Sequence, residues 1–134
     1  MAAARGRPRL RTYLAGVLLV AAVAVAWLGL LAHNQLSLPL APLSAENLGP
    51  LLVYAAFAAW YLRSRGGGKA RAALVGWTLL NLGVGGVLTV LPLPILPFVP
   101  EQTVAHYVAH VVYSVAQLPL LAILARPMSS RATV

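Results

Sequence analysis

The chain has 134 residues, of which 60% are hydrophobic and only 9% charged, with ten Lys or Arg against two acidic residues and no cysteine. A soluble domain carries roughly a quarter charged residues, so this is the composition of a chain that meets lipid. A net charge of +8 would suggest a nucleic-acid partner in a soluble protein. Here the basic residues flank long apolar runs, which is a topology signal, and no nucleic acid is expected. Missing cysteine excludes disulfides, thiolate metal sites and thiol nucleophiles.

The predicted elements follow from where charge is absent. A basic arm over 1–12, with Arg5, Arg7, Arg9 and Arg11, precedes an uncharged run over 13–32. At ~1.5 Å per residue, about 20 apolar residues cross the hydrocarbon core, and this run suffices. Its basic start, apolar stretch and Ala24-Val-Ala26 also fit a secretory signal with a cleavage site, but the run to Ala32 is longer than a usual signal core. A second span over 44–63 is short in apolar residues and needs its interfacial ends. Pro50, Tyr54, Phe57 and Tyr61 share one face of it, an aromatic ridge suited to packing.

The loop between the second and third spans joins Arg63, Arg65, Lys69 and Arg71 around three consecutive glycines, a pattern for a flexible basic turn. A third span is expected over 70–91, with Gly76, Gly83, Gly85 and Gly86 allowing close helix approach and Asn81 bonding to a neighbour. A fourth is expected over 103–125, with Pro119 as a kink, and 126–134 as a tail. The fold class is thus all-α: an integral membrane bundle of four transmembrane helices. Lys and Arg occur in the arm, the basic loop and the tail but not in the loops around 33–46 and 92–102, placing both termini on the cytoplasmic side of a plasma membrane. Trp60 and Tyr61 beside Arg63, and Tyr13 beside Arg11, read as boundary anchors. Richness in alanine, arginine and leucine fits a high-GC bacterial genome.

The two outer loops align without gaps. Leu36, Leu38, Pro39, Pro42 and Glu46 lie over Leu91, Leu93, Pro94, Pro97 and Glu101. Each predicts a proline-stiffened lid entering an acid-capped helix. A true repeat would make two parallel-repeat hairpins about an axis along the membrane normal; the other account is shared loop composition.

The stretch most suggestive of function is in the fourth span, where Thr103, His106, His110, Tyr113 and Gln117 recur at spacings of three and four and so share one helical face. Polar groups at membrane depth point inward, toward partners or a cavity. One reading is interhelical hydrogen bonding, with Thr78 and Asn81 as partners. A second is metal or haem ligation, since His106 and His110 stand four apart, with His33, Glu46 or Glu101 completing the set from the outer side. A third is a path for a proton or polar solute.

No cofactor is required by any motif, and no catalytic triad, phosphate loop or paired intramembrane carboxylates occur. The expected function is therefore a non-enzymatic assembly or accessory component, a homo-oligomer or subunit of a larger membrane complex in a lipid bilayer. The alternative is a small transporter or channel using the polar face. An intramembrane enzyme acting on lipid, with His106 or His110 as base and Glu101 as acid, is the third.

Overall fold

The computed structural model describes the backbone over 7–126 and side chains at Leu10 and from Thr12 onward. The first part of the basic arm and the tail over 127–134 lie outside the described residues. Four helices follow one another: α1 (Arg7–Ser37), α2 (Ala45–Arg63), α3 (Gly68–Leu80) and α4 (Val104–Ala125). Among the described residues there is no strand. Helix is the form an apolar chain takes when its backbone must satisfy itself. Three stretches, Thr12–Ser37, Gly68–Val90 and Val104–Ala125, are long and apolar enough to span a membrane.

The helices pack most extensively as the pair α1 and α4, the first and last in sequence. Gly29 explains how close they come: a Cβ there would lie 2.3 Å from Ala116 Cβ, so only glycine fits. The third span packs against α2 and α4 beside this pair. Gly85 and Gly86 do abut α4, where a Cβ would meet the Tyr113 ring at 2.8 Å and Ser114 Oγ at 2.4 Å. The close approach expected at Gly76 and Gly83 is not made, because a Cβ at either would meet nothing within 4 Å.

The interior has two halves. Leu19, Ala22, Val23 and Ala26 of α1, Tyr54, Ala58 and Tyr61 of α2, Ala70 and Leu74 of α3, and Leu120 and Leu124 of α4 form an apolar core at the end bearing the basic loop. Toward the other end polar residues are buried, His33, Asn34, Asn47, Asn81 and His110, beside the apolar Leu30, Val90 and Ala109.

The third span is not a continuous α-helix, as expected over 70–91. It changes at Asn81 into a π-helical segment (Asn81–Val87), then into a 3₁₀ turn (Leu88–Val90). Thr89 donates to the Gly85 carbonyl at 2.8 Å inside this segment. Gly83, Gly85 and Gly86 weaken the α-helical preference there, and seating Gly85 and Gly86 on α4 supplies the compensation.

The glycine turn is also better defined than its composition suggests. Arg65 and Gly66 take positive φ of 51° and 83°, and the Gly66 amide donates to the Tyr61 carbonyl at 2.9 Å, closing α2. Ser64 Oγ donates to the Tyr61 carbonyl and accepts from the Gly67 amide. Arg71 Nε donates to the Leu124 carbonyl at 2.7 Å, tying the start of α3 to the end of α4.

The outer loops differ more than their alignment predicts. Glu46 does stand in the first turn of α2, which starts after Ser44. Glu101 precedes α4 by three residues, and Thr103 caps that helix by accepting from the His106 amide at 3.2 Å. A hydroxyl next to the first free amides performs the capping that the carboxylate was expected to perform.

Candidate metal centre

The polar face of α4 is turned into the bundle at His110, Tyr113 and Gln117, each buried, while Thr103 at the helix entry is exposed. Gln117 and its partner Tyr54 are both fully buried. Tyr54 donates its hydroxyl to Gln117 Oε1 at 2.6 Å, and the Gln117 amide donates to the carbonyls of Ala26 at 3.1 Å and Tyr113 at 3.3 Å. One turn outward, Tyr113 donates to Asn81 Oδ1 at 2.6 Å, and Asn81 donates to the Trp77 carbonyl. Thr78 bonds the Leu74 carbonyl of its own helix rather than the α4 face. The Tyr54–Gln117, Gln117–Ala26 and Tyr113–Asn81 contacts are interhelical hydrogen bonds of the kind that hold membrane bundles together, worth roughly 0.6–2 kcal/mol each.

Above them lie three histidines. α1 runs past the expected boundary at 32 to Ser37, so His33 is helical and faces His110 across the tight Gly29 crossing. Their Nε2 atoms are 3.0 Å apart, with ring centroids at 4.3 Å. The His106 ring is 4.6 Å from that of His110 and 6.1 Å from that of His33. One nitrogen from each of the three can be chosen so that all lie within 4.8 Å of one another.

The hydrogen-bond partners assign the protons. His110 Nδ1 faces the Gly86 carbonyl at 3.1 Å, and a carbonyl can only accept, so Nδ1 carries the hydrogen. His33 Nδ1 faces Asn34 Oδ1 at 2.9 Å. The orientation of that amide is set by a relay: Asn34 Nδ2 donates to Asn47 Oδ1, and Asn47 Nδ2 donates to the Ala41 carbonyl, each at 2.9 Å. The relay ends on a pure acceptor, so Asn34 presents oxygen to His33, and its Nδ1 also carries the hydrogen. Trp27 Nε1 holds the same corner by donating to the Asn47 carbonyl at 2.9 Å.

With both Nδ1 hydrogens so committed, two neutral imidazoles would point their Nε2 lone pairs at each other. That contact is repulsive unless a cation or a shared proton lies at it. His106 adds to the demand, because both its ring nitrogens are shut off from solvent and without a hydrogen-bond partner among the described residues. An unsatisfied buried polar atom costs roughly 1–3 kcal/mol.

Nitrogens around a shared metal ion, each about 2.0–2.1 Å from it, stand roughly 3.3–3.5 Å apart. The His33–His110 pair, at 3.0 Å, is close to that spacing, whereas the group of three spreads to as much as 4.8 Å, so His106, held by no hydrogen bond through its ring among the described residues, is the one that must turn inward. The Nδ1–H bonds to Gly86 and Asn34 are of the same kind as the outer contacts that orient histidines in metal sites. A porphyrin does not fit between His33 and His110 at their 3.0 Å contact.

The sequence singled out His106 and His110 through their helical period and gave His33 as an outer contributor. Glu46 and Glu101, named with it, are exposed and outside the group of three. Asn34 and Asn47, which flank the proline loop, carry no sign in the sequence of their hydrogen-bond relay behind His33. Gly86 was named for packing, and its carbonyl proves to be the partner of His110.

Fold and site together define a helical bundle with three helices of membrane-spanning length and a three-histidine cluster near one end. No family model, curated protein or solved structure matches the chain.

Proposed function

We propose that this chain is a four-span plasma-membrane protein that holds a transition-metal ion between His33, His106 and His110 at the outer end of its bundle, as an accessory component rather than an enzyme. The observation that carries the reading is the pair of Nε2 lone pairs facing each other at 3.0 Å with both Nδ1 protons committed elsewhere. A metal ion removes the repulsion and gives His106 a partner. Imidazole is a favoured ligand of zinc, copper and nickel.

The fourth span is α2. Its 19 residues extend about 28 Å, close to the ~30 Å hydrocarbon thickness, with Glu46 and Arg63 at its two ends. With α2 crossing, both termini and the basic loop fall on the cytoplasmic side, as the arginine distribution requires. The centre then lies by the outer surface. Below it the Tyr113–Asn81 and Gln117–Tyr54 pairs close the interior with neutral, mutually satisfied groups, which favours a held ion over a conducted one.

Binding to the folded state alone raises stability, by about 2.7 kcal/mol at a ligand concentration a hundred times Kd. Thermal unfolding in mild detergent, with chelator and then with added zinc or copper, is expected to show a metal-dependent rise in Tm for the wild type and none for His110→Ala. A wild-type Tm indifferent to every ion tried would refute the reading.

A further inference from the structure

The centre is unusual in its charge. The chain has only two acidic residues, Glu46 and Glu101, both exposed and neither in the donor group, and it has no cysteine. All three ligands are neutral imidazoles. The groups behind them, the Gly86 carbonyl and the Asn34 amide, are neutral too, where a carboxylate commonly stands behind a zinc-bound histidine. An ion held here keeps its whole charge. Its surroundings supply no opposite charge: His33 and His110 are buried, and the cleft of about 250 Å³ beside His110 is lined by four valines together with the hydroxyl-bearing Tyr107 and Ser114, and by no charged side chain.

The cost of moving an ion from water into a medium of low polarity grows with the square of its charge, so a divalent ion meets about four times the penalty of a monovalent one of similar size. Common monovalent ions such as sodium and potassium prefer oxygen ligands and have no oxygen donor in the group of three. A monovalent ion that takes nitrogen, and that accepts three ligands without a fourth, is cuprous copper. Zinc with three histidines would need a fourth ligand, usually water, which itself needs polar neighbours.

Resting on the metal-centre reading above, we infer that the ion held by His33, His106 and His110 is Cu(I), three-coordinate, in preference to Zn(II). Putting a carboxylate into the ligand set should reverse the preference. His33→Glu keeps three ligands while cancelling one unit of charge, and a two-histidine, one-carboxylate set suits divalent ions.

The test is anaerobic titration of the full chain in lipid nanodiscs with Cu(I), buffered by a competing chelator, and separately with Zn(II). X-ray absorption at the metal edge counts the nitrogen neighbours. The wild type is expected to bind Cu(I) at least about 100-fold more tightly than Zn(II), with three imidazole neighbours, and His33→Glu to shift the ratio toward zinc by at least about 10-fold. Tighter binding of Zn(II) by the wild type, or a ratio unmoved in a folded His33→Glu variant, overturns the cuprous assignment while leaving the metal centre standing. Binding of neither ion overturns both.

Discussion

A few side chains in the bundle interior have no substitute. Gln117 satisfies three groups at once, accepting from Tyr54 and donating to the carbonyls of Ala26 and Tyr113. Gln117→Leu keeps the volume but strands the Tyr54 hydroxyl, and should cost about 1–3 kcal/mol in detergent unfolding. Gly29→Ala places a Cβ 2.3 Å from Ala116 Cβ, and neither group can swing aside, so the α1–α4 crossing must open. A loss of about 1–3 kcal/mol is expected, with weaker metal binding because His33 rides on the same helix. An unchanged Tm for either variant would contradict the packing described. Gly29 illustrates what the sequence conceals: one glycine in an alanine-rich helix carries no sign of which neighbour it admits, whereas the spacing of His106, His110, Tyr113 and Gln117 announces a shared face by period alone.

Among the elements, the one that departs most from its sequence pattern is the third. Hydropathy continues unbroken to Leu91, so an apolar helix is legible. The switch to π geometry at Asn81 is not, because it depends on Gly85 and Gly86 finding Tyr113 and Ser114. The switch has a consequence at the centre, since the Gly86 carbonyl belongs to this segment and holds the His110 ring. The conflict at Gly86 is with one removable atom, Ser114 Oγ at 2.4 Å. Gly86→Ala should therefore destabilise by about 1–3 kcal/mol, and adding Ser114→Ala should restore most of the loss. Failure of the second change to rescue the first, measured as a double-mutant cycle of unfolding free energies, would mean that the segment is not seated as described.

For the whole molecule, composition alone made an all-helical chain of membrane-crossing segments legible, while the order of packing was not. The pairing of α1 with α4 joins residues such as His33 and His110 that are 77 apart in sequence, and nothing in either helix names the other. Topology rests on α2, the one of the four helices outside the three stretches that are long and apolar enough to span a membrane. The cysteine-free sequence makes it testable with single cysteines at the exposed positions Lys69 and Gln102. Four spans predict that a membrane-impermeant maleimide added to intact cells labels Gln102→Cys and spares Lys69→Cys. If α2 lay along the surface, with the N-terminus still inside, the two results would exchange.

The most direct trial of the central claim is native mass spectrometry of the full chain released from mild detergent, with elemental analysis of the same sample. The wild type should carry the mass of one bound metal ion, and the His106→Ala/His110→Ala double variant, helical by circular dichroism, should be bare. Bare wild-type protein that stays bare after exposure to copper and zinc would contradict the metal centre and leave a proton shared between His33 and His110 as the account of their contact.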